Sequence, residues 1–210
     1  MPRAQTALEE RWNVITHGFG FILFACTSVI LLQQASSSAA SYALLAIIIY
    51  GVSQLFLYAA STSYHYAKPE KIKWTLRKMD HISIYFSIAG TYTPVCLISL
   101  EQSSGWLILA AVWGVALFGT IWKLFFTGKF EAFSSILYLV MGWMVVLDLE
   151  SLQAAFSAQQ MMWLIAGGIF FSVGIVFYAW NKLYFNHVIW HFFVLGGSLS
   201  HLIMVWLILK

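Results

Sequence analysis

His187 and His191 lie one helical turn apart at the head of the last apolar segment of a 210-residue chain. Ser61 and His65 share that spacing at the end of an earlier segment, and Asp80 opens the next one. Residues four apart on a helix share a face, separated by roughly 6 Å along the axis. Both imidazoles of the last pair can therefore point at one ion, and Ser61 can stand one turn from His65. Three imidazole ligands with a fourth position left to water form a catalytic zinc set, although imidazole also suits iron or nickel. Zinc-bound water ionises near neutral pH and supplies a hydroxide nucleophile. Asp80 can accept that water's proton or support a ligand. Ser61 can donate a hydrogen bond to the water or to a developing oxyanion. Each motif alone also has a plain explanation: two solvated imidazoles, an acid favoured by a helix N-terminus, a serine bonded back to its own helix. The metal chemistry requires all of them in one layer.

The composition says which elements must supply that layer. The chain is 61% hydrophobic and 9% charged, which a water-soluble domain of this size could hardly solvate, so an integral membrane protein is expected. The apolar residues arrive in stretches of about 20, the length a helix needs to cross a hydrocarbon core roughly 30 Å thick. Backbone groups in lipid must be satisfied within the segment, which favours helices. The reading is an all-α, seven-helix transmembrane bundle occupying residues 1–210 as a single domain. Its expected spans are 14–33, 42–65, 80–99, 106–126, 132–149, 161–180 and 187–209. The run Val14 to Leu32 is longer than a secretory h-region and starts with Asn13 and His17, so it is read as a span and not as a cleaved leader.

Loops rich in Lys and Arg stay cytoplasmic. With seven spans, ten basic residues (Arg3, Arg11, Lys68, Lys71, Lys73, Arg77, Lys78, Lys123, Lys129 and Lys182) fall on one side and only Lys210 on the other. The N-terminus is therefore expected in the cytoplasm and the C-terminus outside. This orientation puts His65, Asp80 and the His187/His191 pair in one cytoplasmic layer. Trp12, Trp74, Trp106, Trp163, Trp180 and Tyr184 fall near span ends, as an interfacial aromatic belt requires. The net charge of +3 arises in short turns, so nucleic acid is not an expected partner. Cys26 and Cys96 lie inside apolar runs without redox or zinc-type spacing, and no disulfide framework is expected.

Glu10, Asn13 and His17 form a polar stripe at the start of the first span. They either hydrogen-bond toward the ligands from behind or cap and anchor the first helix. His81 follows Asp80 and faces about 100° away, which suits a bond to a neighbouring helix better than zinc ligation. His201 lies roughly 15 Å deeper than His191, too far to share its ion, and suits an interhelical hydrogen bond. Ser87 to Pro94 places small and hydroxyl residues and a proline in the middle of the third span, where a kink is expected.

Taken together, several ordered motifs resemble the bacterial haemolysin III family. They are Glu10-x-x-Asn13-x-x-Thr16-His17-x-x-Gly20, Ser61-x-x-x-His65, Asp80-His81-x-x-Ile84, Ala89-Gly90-Thr91-Tyr92-Thr93-Pro94 and His187-x-x-x-His191-x-x-x-x-Gly196-Gly197-Ser198. That family is the prokaryotic branch of the progestin and adiponectin receptor proteins, in a wider group that includes alkaline ceramidases. The resemblance covers nearly the whole chain. It implies a seven-helix fold with a cytoplasmic N-terminus in the bacterial inner membrane. It also implies a zinc ion on the positions matching His65, His187 and His191, with those matching Ser61 and Asp80 beside it. In the receptor and ceramidase relatives such a site is associated with hydrolysis of a lipid amide. The long soluble N-terminal segment of the animal receptors has no counterpart in this sequence, so hormone recognition is not expected.

The leading expectation is thus a zinc-dependent membrane hydrolase acting on a lipid amide or ester. The alternatives are a non-catalytic sensor or regulator of membrane homeostasis stapled by zinc, and a cytolytic membrane protein. A membrane lipid, as substrate or ligand, is the expected partner.

Overall fold

Thr6 starts the first helix with a reciprocal cap. The Glu9 amide donates to Thr6 Oγ1 (3.3 Å) and the Thr6 amide donates back to Glu9 Oε2 (2.8 Å), satisfying donors that have no partner inside a helix. α1 then runs Ala7–Ser36, followed by α2 (Ala43–Tyr66), α3 (Glu70–Pro94), α4 (Gly105–Phe126) and α5 (Glu131–Trp143). α6 (Leu149–Ala155), α7 (Ala158–Ala179) and α8 (Asn186–Ile208) complete the chain. A π-helical turn, Val95–Ser99, prolongs α3, and a 3-10 stretch, Met144–Asp148, joins α5 to α6. This computed structural model describes residues 4–210; Arg3, counted in the charge asymmetry, lies outside the described residues. Seven helices are long and apolar enough to cross a membrane, with α3 and its π turn forming the third span and α5 to α6 the fifth. No strand occurs among the described residues.

The spans form a ring in chain order: α1 packs on α2, α2 on α3, α3 on α4, α7 on α8, and α8 closes onto α1, while α5 touches α3, α4 and α7. Ile22, Val52, Leu107 and Leu147 are exposed on outward faces, as lipid contact allows. Several polar side chains turn inward and pair across helices, since an unsatisfied group costs several kcal/mol where water is excluded. Gln54 of α2 donates to Thr91 Oγ1 of α3 (3.1 Å) and accepts from Ser87 Oγ (3.2 Å). At Gly20 a Cβ would overlap the Tyr58 ring, so glycine there lets α1 and α2 approach closely.

The second, fourth, sixth and seventh spans begin and end within three residues of expectation. Three departures matter. α3 starts at Glu70, not at 80. Lys71, Lys73, Arg77 and Lys78 are good helix formers whose charged ends can reach solvent, so the helix continues past the point where hydropathy stops. Asp80 consequently does not open a helix; it lies ten residues, about 15 Å, inside one, and the helix-dipole explanation for it fails. α1 also begins earlier, at Ala7, for the capping reason given above.

The fifth span reaches Ala155, beyond the expected 149, and is broken between α5 and α6. Tyr92 repairs the break: its hydroxyl donates to the Gly142 carbonyl (2.9 Å) and accepts from the Val145 amide (2.9 Å). Pro94 does not kink the middle of the third span but ends α3, handing over to the π turn. Both cysteines are free.

Candidate metal centre

The closure of α8 onto α1, with α2 on α1's other side, brings three imidazoles to one end of the bundle. His65, His187 and His191 each offer a ring nitrogen, and these atoms lie within 4.8 Å of one another. Ring centroids are 5.0 Å apart for His65 and His191, 5.1 Å for His65 and His187, and 4.7 Å for His187 and His191. His191 is 1% exposed, so it is not a solvated surface imidazole.

Groups behind the rings decide which nitrogens face inward. His65 Nδ1–H donates to Glu10 Oε2 at 2.6 Å, and the same carboxylate accepts from Lys73 Nζ on Oε1 at 2.7 Å. His191 Nδ1 lies 3.2 Å from Thr16 Oγ1. The Thr16 hydroxyl hydrogen is directed to the Trp12 carbonyl (2.9 Å), so its oxygen accepts and the His191 proton is assigned to Nδ1. In both rings Nε2 remains as a lone-pair donor. Nε2 of His65 and Nε2 of His187 are buried without a protein partner. Three ring nitrogens this close together, with a carboxylate behind His65 and a hydroxyl behind His191, match the donor set of an imidazole-bound metal.

The start of α8 is set by α1. Phe185, the residue before Asn186, has a left-handed backbone with φ 62°, an uncommon state for an aromatic residue. Its amide donates to Glu9 Oε1 at 2.9 Å, so the carboxylate that caps α1 also anchors the turn into the His187 helix. Glu9 was not singled out from the sequence. Its place in Thr6-x-x-Glu9 marks it as a capping residue, whereas its reach to residue 185 has no local signal.

The remaining candidates fall in distinct places. Asn13 Nδ2 lies 3.4 Å from His65 Nδ1. His17 stacks on His191 with centroids 3.5 Å apart and planes 12° from parallel, and meets Tyr58 edge-on. Neither His17 nitrogen has a hydrogen-bond partner, so it braces the His191 ring by packing and does not cap α1.

Ser61 and Asp80 line one cavity with His17, His187 and His191, and Asp80 stands outside the ligating group among the described residues. That cavity, about 120 Å³, is walled by apolar side chains including Leu57, Ile84, Ile88, Phe171, Ile175 and Val194. His201 lines it too, with Nε2 3.3 Å from the Leu164 carbonyl of α7. His81 reaches the cavity, and its Nδ1 is 3.4 Å from Glu131 Oε2 on the fifth span. Glu131 and its buried partner Lys123, 2.7 Å away, were missed from the sequence, where Lys123 read only as a topology signal.

Glu10 offers a direct check on the orientation of His65. Glu10→Gln should weaken zinc binding about 10- to 100-fold, the usual effect of losing a carboxylate behind a ligating histidine. Competition with a chromophoric chelator measures it; an unchanged affinity would show that another group orients the ring.

The chain matches the family described as haemolysin-III related over residues 5–202. It is 43% identical over 194 residues to Hemolysin-3 of Bacillus cereus, covering 92% of this chain and 89% of that protein. Hemolysin-3 homolog of Bacillus subtilis is 42% identical over 193 residues, covering 92% and 91%. Monocyte to macrophage differentiation factor of Homo sapiens is 28% identical over 211 residues, covering 96% and 84%. No solved structure matches the chain. Seven apolar helices, a family match over nearly the full length and two relatives of this similarity lead to one assignment: the chain belongs to the haemolysin III–related family of multi-pass integral membrane proteins.

Proposed function

We propose that this protein is a zinc-dependent hydrolase that cleaves an amide or ester bond of a membrane lipid. One observation carries the reading: three imidazoles with ligating atoms within 4.8 Å of one another meet beside an apolar cavity that also holds Ser61 and Asp80. Three imidazoles are the donor set that would hold a catalytic zinc ion and leave it room for a water. When bound, zinc supplies Lewis acidity and lowers the pKa of a coordinated water to about 7.

The chain's own residues do the rest. His65, His187 and His191 hold the ion, Asp80 accepts a proton from the attacking water, and Ser61 donates to the carbonyl oxygen as negative charge develops there. The apolar wall receives the acyl chain and excludes bulk water. We assign the histidine end to the cytoplasmic side of a bacterial inner membrane, because the basic residues of the turns cluster at that end.

Asp80→Asn tests the reading. It should retain about one zinc per chain while lowering lipid turnover roughly 10²- to 10⁴-fold, the range for a positioned acid–base group. Lipid profiles of membranes carrying wild type and variant identify the substrate. Turnover that persists in a metal-free preparation would sink the mechanism.

A second reading has its own support. α2 and α8 both pack on α1, so an ion shared by His65 and the His187/His191 pair would tie spans two and seven directly. In a zinc-stapled sensor, chelation lowers the melting temperature and no lipid is consumed. The relatives' name attaches lysis to those proteins; for this chain a cytolytic role requires dye release from liposomes by pure protein that survives loss of the metal ligands.

A further inference from the structure

α3 sends two consecutive polar residues, Asp80 and His81, into the cavity. Neighbours on a helix diverge by about 100°, so they reach it from different directions and serve different atoms. His81 is buried, and Tyr138 OH donates to its carbonyl at 2.9 Å. Its Nδ1 lies 3.4 Å from Glu131 Oε2.

That carboxylate is itself held in place. Lys123 Nζ donates to Oε2 at 2.7 Å, the Gly128 amide donates to Oε1 at 3.0 Å, and Arg77 Nη2 stands 3.8 Å from Oε1. A fixed carboxylate beside Nδ1 can only accept that nitrogen's proton, which leaves Nε2 to exchange a proton with a group in the cavity. His81 is not in the ligating trio, so this capacity is unused by the metal chemistry.

We propose that His81, oriented by Glu131, donates the proton that lets the leaving group depart when an acyl bond is cleaved in this cavity. The inference rests on the hydrolase reading. Water adds to the carbonyl carbon and gives one proton to Asp80. The C–N or C–O bond then breaks with its electron pair on the departing nitrogen or oxygen, which takes a proton from His81 Nε2. Return of the Asp80 proton to His81 through cavity water resets both groups, and the products are a carboxylic acid and an amine or alcohol.

Two probes with the same acyl chain isolate the step: N-butyl dodecanamide, whose amine cannot leave unprotonated, and p-nitrophenyl dodecanoate, whose phenolate can. In zinc-loaded full-length protein, His81→Gln should lower the ratio of amide to ester turnover by about 10²-fold with zinc content unchanged. Glu131→Gln should shift the ratio the same way by less. An unchanged ratio, with both probes slowed equally or neither slowed, overturns the role of His81 and leaves the hydrolase reading standing. A wild type that holds zinc yet cleaves neither probe overturns both. Nitrogen-15 spectra of the His81 ring in wild type supply a readout free of turnover and of variant folding: a proton absent from Nδ1 would also overturn the proposal.

Discussion

Substituting alanine for His191 should lower zinc affinity by roughly a hundredfold or more, enough to strip the ion during purification. Zinc sites of four ligands are worth about 10–16 kcal/mol, so each ligand carries about 3 kcal/mol, and 1.4 kcal/mol is a factor of ten. His191 has a second job that makes its loss larger: it is the face on which His17 stacks, a contact worth about 1 kcal/mol. His187→Ala separates the two, because it removes one proposed ligand and leaves that stack in place. Both variants should come off the column with little metal, and His191→Ala should lose more stability than His187→Ala in the metal-free state. Metal analysis returning one zinc per chain for both would show that the ligands lie elsewhere.

Lys123→Met should destabilise the protein by about 2 kcal/mol. Removing one member of a buried ion pair costs about 3–5 kcal/mol, and the 29% exposure of Glu131 lets solvent offset part of that. At about 2–4 °C per kcal/mol for a chain of this size, the melting temperature in detergent should fall by about 4–8 °C. The loss comes from a carboxylate left with only the Gly128 amide, Arg77 and His81 as partners, so adding Glu131→Gln should restore part of it. Equal melting temperatures for the single and double variants would mean that the pair is not coupled.

Much of the bundle was legible because lipid imposes a simple rule on length and apolarity, and the His187/His191 spacing survives folding unchanged in any helix. The start of α3 was not. Charged residues end a hydropathy window, yet Lys71, Lys73, Arg77 and Lys78 suit a helix well, so the element outruns the membrane signal. Asp80 thereby changed from a helix-opening acid to a residue inside α3. The break in the fifth span was hidden for another reason: its peptide groups are satisfied by Tyr92, which lies in a different span. His81 and Glu131 are fifty residues apart, and Glu9 and Phe185 far more. No local pattern encodes such pairings, which arise only when the ring closes.

The anchoring of Phe185 by Glu9 has a bearing on how the protein is made. The ribosome delivers α1 first and α8 last, yet Glu9, Thr16 and His17 find Phe185 and His191 only across that interval. Until the seventh span and the turn before it arrive, the Glu9 carboxylate, the Thr16 hydroxyl and the His17 ring of the first span lack these contacts. Arrival of α8 and assembly of the three-imidazole layer are the same event.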